Sequence, residues 1–131
     1  MFWKTFLVAA SLAVVPAFAQ DTQRYMVPFN FVAGAQVWAA GEYEVNPMAN
    51  GFVRIRNLDD SRSAFLFTSA TGTGRESGNP RLVFTRYGEQ YFLSEIWPLT
   101  LQGRALAKSA AERELASKAK SSTTVAALRS K

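Results

Sequence analysis

Glu42 and Glu44 stand two residues apart, a spacing that puts both carboxyls on one face of a strand. Paired carboxylates are the hardware of glycoside hydrolysis, one as acid and the other as base or nucleophile. The alternation Glu42-Tyr43-Glu44-Val45 nevertheless sends Tyr43 and Val45 inward, which makes a solvated outer face the simpler reading. In Gln90–Trp97, strict alternation places Glu95 on one face with Tyr91, Leu93 and Trp97. A carboxyl beside apolar rings is pushed toward its neutral form and can serve as an acid. The plainer alternative is an ion pair with Arg54, Arg56, Arg81 or Arg86. The candidate binding surface is therefore Tyr91, Glu95, Trp97, Arg54 and Arg56. Tyr25, Trp38, Tyr87, Tyr91 and Trp97 offer flat rings that either stack on sugars and bases or fill a core.

The remaining motifs are weak. Gly72, Gly74 and Gly78 have the look of a phosphate loop but lack its Gly-Lys-Ser/Thr ending and the following helix. Asp59-Asp60-Ser61 offers oxygen ligands, yet without spaced acids it reads as a turn rather than a calcium loop. The chain has neither cysteine nor histidine. Disulfides, thiol nucleophiles, thiolate zinc sites, lipidation at a lipobox and Ser-His-Asp triads are thereby excluded. No catalytic residue, metal site or cofactor is expected.

An export signal is expected at the start. Lys4 precedes the ten-residue apolar run Phe6 to Val15, too short to span a bilayer, and Ala17-Phe18-Ala19 fits the pattern cut by signal peptidase. Cleavage between Ala19 and Gln20 would leave a periplasmic or extracellular product with no membrane span. The formal charge of +5 then becomes +4, and Gln20 to Ala116 carries ten basic and ten acidic residues. The excess sits in a Ser/Thr/Ala/Lys tail with Lys118, Lys120, Arg129 and Lys131. A neutral domain with a sparse basic tail does not favour nucleic acid as a partner.

The elements that must position these residues read as short strands. From Tyr25 to Trp97 the apolar residues recur with a period near two, broken by turn residues. Tyr25 to Val32 reads as a first strand, with Pro28 placing it at an edge or a bulge. Asn50-Gly51 marks a turn, Val53 and Ile55 face in opposite Arg54 and Arg56, and a strand from Ser63 to Ser69 carries Phe65 and Phe67. Arg81 to Arg86 and Tyr91 to Trp97 form the clearest hairpin, joined through Gly88. Ser109-Ala110-Ala111-Glu112 has the form of a capping box opening a helix with a thin apolar stripe. The expectation is an all-β fold, an antiparallel sandwich or a small partly open barrel of about seven strands, closed inside by phenylalanines, with a short C-terminal helix. The division is a signal peptide over 1–19, a β domain over 20–104, a helix over 105–120 and a disordered basic tail over 121–131.

The blocks Val27-Pro28-Phe29-Asn30-Phe31, Ala40 to Val45, Leu82 to Gly88, Tyr91 to Trp97 and Lys108 to Ala116, following a signal peptide, resemble a family of small exported acidobacterial-type proteins of unknown function. The resemblance implies export and a single domain, and supplies no activity. Members of that family often carry histidine where this chain has Thr85, so imidazole chemistry at that position is absent here. The leading functional expectation is an exported non-catalytic β domain that binds an envelope polymer or protein. The alternatives are a carboxylate-based hydrolase on carbohydrate, or an assembly protein using its C-terminal helix. Oligomeric state is left open.

Overall fold

The structure, a computed structural model, describes residues 23–71, 80–98, 102–119 and 121–129. The expected signal peptide with its Ala17, Ala19 and Gln20 cleavage site, and the glycines from Gly72 to Gly78, lie outside the described residues. The described residues form ten strands and one α-helix: β1 (Gln23–Val27), β2 (Phe31–Ala33), β3 (Gln36–Trp38), β4 (Gly41–Pro47), β5 (Phe52–Asn57), β6 (Ser63–Ala70), β7 (Arg81–Tyr87), β8 (Gln90–Trp97), β9 (Arg104–Leu106), α1 (Ala110–Lys118) and β10 (Thr123–Leu128). The fold is all-β with a single short helix near the C-terminus, as the two-residue periodicity predicts. The three-residue strands β2, β3 and β9 and the terminal β10 raise the number above the expected seven.

The strands form one open sheet in the order β1-β4-β5-β6-β9-β8-β2-β3, with β7 pairing both β8 and β10. All pairings are antiparallel except β2 with β8, which meet in parallel at Val32 and Phe92. One edge of β8 carries β7 along its length; the other is shared between β2 at Phe92 and β9 at Glu95–Ile96. The sheet curls until Tyr25 and Arg129 meet in a single bridge, and it does not close into a barrel.

Inward side chains alternate as the pleat requires. Tyr25 and Val27, Tyr43 and Val45, Val53 and Ile55, and Leu82 and Phe84 are all buried. Edge-to-face pairs tie the aromatic part together, with Phe31 centred 5.1 Å from Tyr43 and 5.2 Å from Phe84, and Trp38 6.0 Å from Tyr43. Each such pair adds about 0.5–1.5 kcal/mol beyond area burial. Pro28 interrupts the first expected strand, so β1 ends at Val27 and β2 starts at Phe31, while Phe29 packs partly buried against the core.

Three expectations need correction. The inward side is not closed by phenylalanines throughout, because Phe65 and Phe67 are 63% and 66% exposed while Leu66 and Thr68 between them point in. Phe-Leu-Phe is apolar on both faces, and the register of β6 against β5 decides which face is covered. The helix expected over 105–120 is shorter, because Arg104–Leu106 pairs with β6 and β8 as β9. The disordered tail expected over 121–131 is a strand over 123–128, paired with β7 from Thr123↔Arg86 to Leu128↔Arg81. That edge of β7 offers unpaired backbone groups, and the β-branched Thr123-Thr124-Val125 suits them.

Candidate functional site

Among the predicted site residues, Glu95 and Trp97 come together, but not with Tyr91. A bulge between Val83 and Phe84 pairs Phe84 with Leu93 and Val83 with Glu95, leaving Ser94 as the extra residue. The slip turns Glu95 and Trp97 to the outer face, whereas Leu93 and Ile96 belong to the core. Strict alternation could not show this. Trp97 Nε1 donates a 2.8 Å hydrogen bond to Glu95 Oε1, and the Arg81 guanidinium lies 5.1 Å from the Trp97 ring centre. Tyr91 faces the core side, stacked on Phe29 at a centroid distance of 3.8 Å.

Arg54 and Arg56 stand on the outer face of β5, separated from β8 in the sheet order by β6 and β9. Arg54 reaches 3.9 Å from Glu44, so its acidic partner is on β4 rather than Glu95. Arg56 Nε is buried without a hydrogen-bond partner. The five predicted residues therefore do not form one surface. Glu42 and Glu44 are half-buried with Tyr43 and Val45 inward, as alternation predicts. Of the five candidate stacking rings, Tyr25, Trp38 and Tyr87 are buried.

What the outer face does present is phenylalanine. Phe52 on β5 is 41% exposed and pairs edge-to-face with Phe67 on β6, their centroids 5.4 Å apart. Phe65 follows on the same face of β6, opposite Arg54. The sequence signal was available as the i, i+2 repeat of Phe65 and Phe67, but apolar character argued for burial.

The two ends of the curled sheet differ. At the Gly41 end of β4, Trp38 is buried, its Nε1 donates to Ala33 O at 3.1 Å, and Arg62 covers its ring at 4.1 Å. The Tyr43 hydroxyl donates to Ala39 O there, and Asn57 Oδ1 accepts from the amides of Asp59 and Asp60 at 2.7 and 3.1 Å. Asp59-Asp60-Ser61 is thus a turn capped by Asn57. At the Pro47 end lies a pocket of about 230 Å³, with Pro47, Val53, Ile96 and Pro98 in its wall and Met48 and Phe52 at its rim. Arg104 and Gln102 supply its polar side. A second hollow of about 200 Å³ adjoins Tyr91, Asn30 and Gln90.

The helix docks through a buried pair. Ser109 Oγ accepts from the Glu112 amide at 3.1 Å, which is half of the predicted capping box. The Glu112 carboxylate accepts instead from the Tyr87 hydroxyl at 3.0 Å and is 4% exposed. Burial, reinforced by the hydrogen bond and charge of Glu112, pushes the Tyr87 hydroxyl above its ordinary range. Burial also raises Tyr25, partly offset by Arg129, and Tyr43, partly offset by its hydrogen bond with Asn57.

Among the described residues no group of three or more acidic side chains is placed to hold a metal ion, and no helix is long and apolar enough to cross a membrane. Comparison with protein-family models, with curated proteins and with solved structures finds no match.

Proposed function

We propose that the protein is an exported, non-catalytic β domain that binds a polymer or protein of the cell envelope through the outer face of β5 and β6. The observation that carries this reading is the exposed run Phe52, Phe67 and Phe65, flanked by Arg54. Contiguous exposed aromatic surface of this kind marks interaction sites, because leaving it in water forgoes about 25 cal/mol for each Å². The apolar-run signal at the N-terminus and the resemblance to small exported proteins support the location outside the cytoplasm.

Neither alternative gains an observation. A carboxylate hydrolase needs two acids across a cleft, yet Glu44 leans on Arg54 and Glu95 is engaged by Trp97. An assembly role for the C-terminal helix would use an apolar face, yet the exposed residues of α1 are Ala110, Ala111, Arg113, Glu114, Ser117 and Lys118, mostly polar or small.

The test is retention on purified peptidoglycan and on a glycan array, comparing the natural chain with Phe65→Ser/Phe67→Ser. Both positions are exposed, so folding should be kept, which circular dichroism checks. Expected is saturable retention that drops at least about tenfold in the variant, as loss of aromatic anchors does. Equal retention of both proteins, or none of either, would reject the reading.

A further inference from the structure

The pocket at the Pro47 end of the sheet is built around one cation. Its wall and rim are apolar, from Pro47, Met48, Phe52, Val53, Ile96 and Pro98, and the single charge among the described residues lining it is Arg104. That guanidinium is fixed in place. Arg104 Nε donates to Thr68 Oγ1 at 2.9 Å, and Nη2 donates to Thr68 O at 2.9 Å. Thr68 is only 2% exposed, and its hydroxyl in turn donates to Gly51 O at 2.7 Å. Two of the five guanidinium donors are thereby committed to one residue, and the group is oriented before any ligand arrives.

The turn after β4 is shaped for this arrangement. Asn50 and Gly51 both take positive φ, at 63° and 82°, a region that asparagine and glycine enter most readily. A Cβ on Gly51 would lie 2.9 Å from Thr68 O and 3.2 Å from Arg104 Nη2. A side chain there would press on the guanidinium and its anchor. The bare Cα leaves room for both.

We propose that this pocket binds a small amphipathic monocarboxylate, with its carboxylate on Arg104 and its apolar body against Val53, Ile96 and the two prolines. Charge complementarity selects an anion, and one arginine without a second cation among the described lining residues suits one negative charge better than the two of a phosphate monoester. A volume of about 230 Å³ corresponds to about seven or eight waters' share of liquid, enough for about ten heavy atoms. The position at the mouth of a curled sheet is one that ligands commonly use. The proposal goes beyond the envelope-binding reading: Phe52 borders both surfaces, but Phe65 and Phe67 are not among the residues lining the pocket.

The experiment is calorimetric titration of the full chain with octanoate, octanol and inorganic phosphate. Expected is one-to-one binding of octanoate, with octanol at least about tenfold weaker and phosphate not competing, as loss of a charge-assisted bidentate contact implies. Arg104→Gln should weaken octanoate at least about tenfold. Because that change also removes the bonds to Thr68, Met48→Glu serves as a second variant: it sets an anion at a half-exposed rim position and should weaken octanoate by a larger factor than octanol. Phe65→Ser/Phe67→Ser should leave octanoate binding unchanged, which separates this site from the envelope-binding face. Absence of saturable octanoate binding up to about 5 mM, a level that probes interactions of only about 3 kcal/mol, would overturn the proposal. So would equal binding of octanoate and octanol, or equal octanoate binding by the natural chain and both pocket variants.

Discussion

Glu112 is a carboxylate taken out of water, 4% exposed, with the Tyr87 hydroxyl as its hydrogen-bond donor at 3.0 Å. Removing that donor strands the acceptor, and a buried group left short of a partner costs about 1–3 kcal/mol. Tyr87→Phe should therefore lower the unfolding free energy from urea titration by an amount in that range, and the midpoint with it. Glu112→Gln keeps an acceptor oxygen for the same hydroxyl and should cost less than about 1 kcal/mol. Equal midpoints for Tyr87→Phe and the natural chain would mean that this bond does not hold the helix. The sequence showed the local half of this site and not the other. Ser109 and Glu112 are three apart and read as a capping box, but Tyr87 lies 25 residues upstream, where no local rule reaches it. Glu95 was misplaced for a related reason. One extra residue at Ser94 reverses the faces of everything after it, and nothing in Tyr91–Trp97 announces a bulge whose cause is the pairing with β7.

β10 is the element least visible from composition and most consequential for packing. All six of its residues pair with β7, Ala127 is 5% exposed within the core, and Arg129, the residue after the strand, bridges to Tyr25 at the far end of the sheet. A chain ending at Lys120 would bare the long edge of β7, and the two ends of the sheet would lose their single bridge. Such a truncation should lose its cooperative urea transition and aggregate on size exclusion, since the losses approach the whole stability of about 5–15 kcal/mol of a small domain. Leu128→Ala, at a 58% exposed position, is the matched control and should shift the midpoint little. A monomeric, cooperatively folding truncation would show that the strand is dispensable. Charges and small residues made the segment read as solvated, and only Thr123-Thr124-Val125 hinted at a strand. Its partner edge, not its own hydrophobicity, orders it. Where both arms of a pairing were β-rich and adjacent, as in β7 and β8 around Gly88, local pattern sufficed.

At the scale of the molecule, three phenols are distributed around one curled sheet: Tyr25 at the seam, Tyr43 near the Trp38 end and Tyr87 beneath the helix. All three have a hydroxyl pKa raised above the ordinary value of 10.0, with burial the largest cause in each case. A tyrosine is charged when it loses its proton, so burial favours the protonated form. Below pH 10 both folded and unfolded chains hold these protons, and stability does not depend on them. Above pH 10 the unfolded chain releases protons that the folded chain keeps, and each further pH unit favours unfolding by up to about 1.4 kcal/mol for each tyrosine. Tyr25, raised the furthest, supplies most of that slope, and Tyr43 and Tyr87 add smaller increments of the same sign. The unfolding free energy from urea titrations should thus be flat on this account from pH 8 to pH 10 and fall steeply from pH 10 to pH 11. Tyrosinate absorbance should rise together with the loss of β circular dichroism rather than before it. Tyr25→Phe should remove more than about a third of the slope above pH 10, because the Tyr25 shift is the largest of the three and Phe has no proton to release. A slope that the substitution leaves unchanged would place the alkaline loss elsewhere. The same burial that keeps these hydroxyls protonated at neutral pH leaves Tyr25, Tyr43 and Tyr87 outside the two surfaces proposed for binding, the phenylalanine face and the Arg104 pocket.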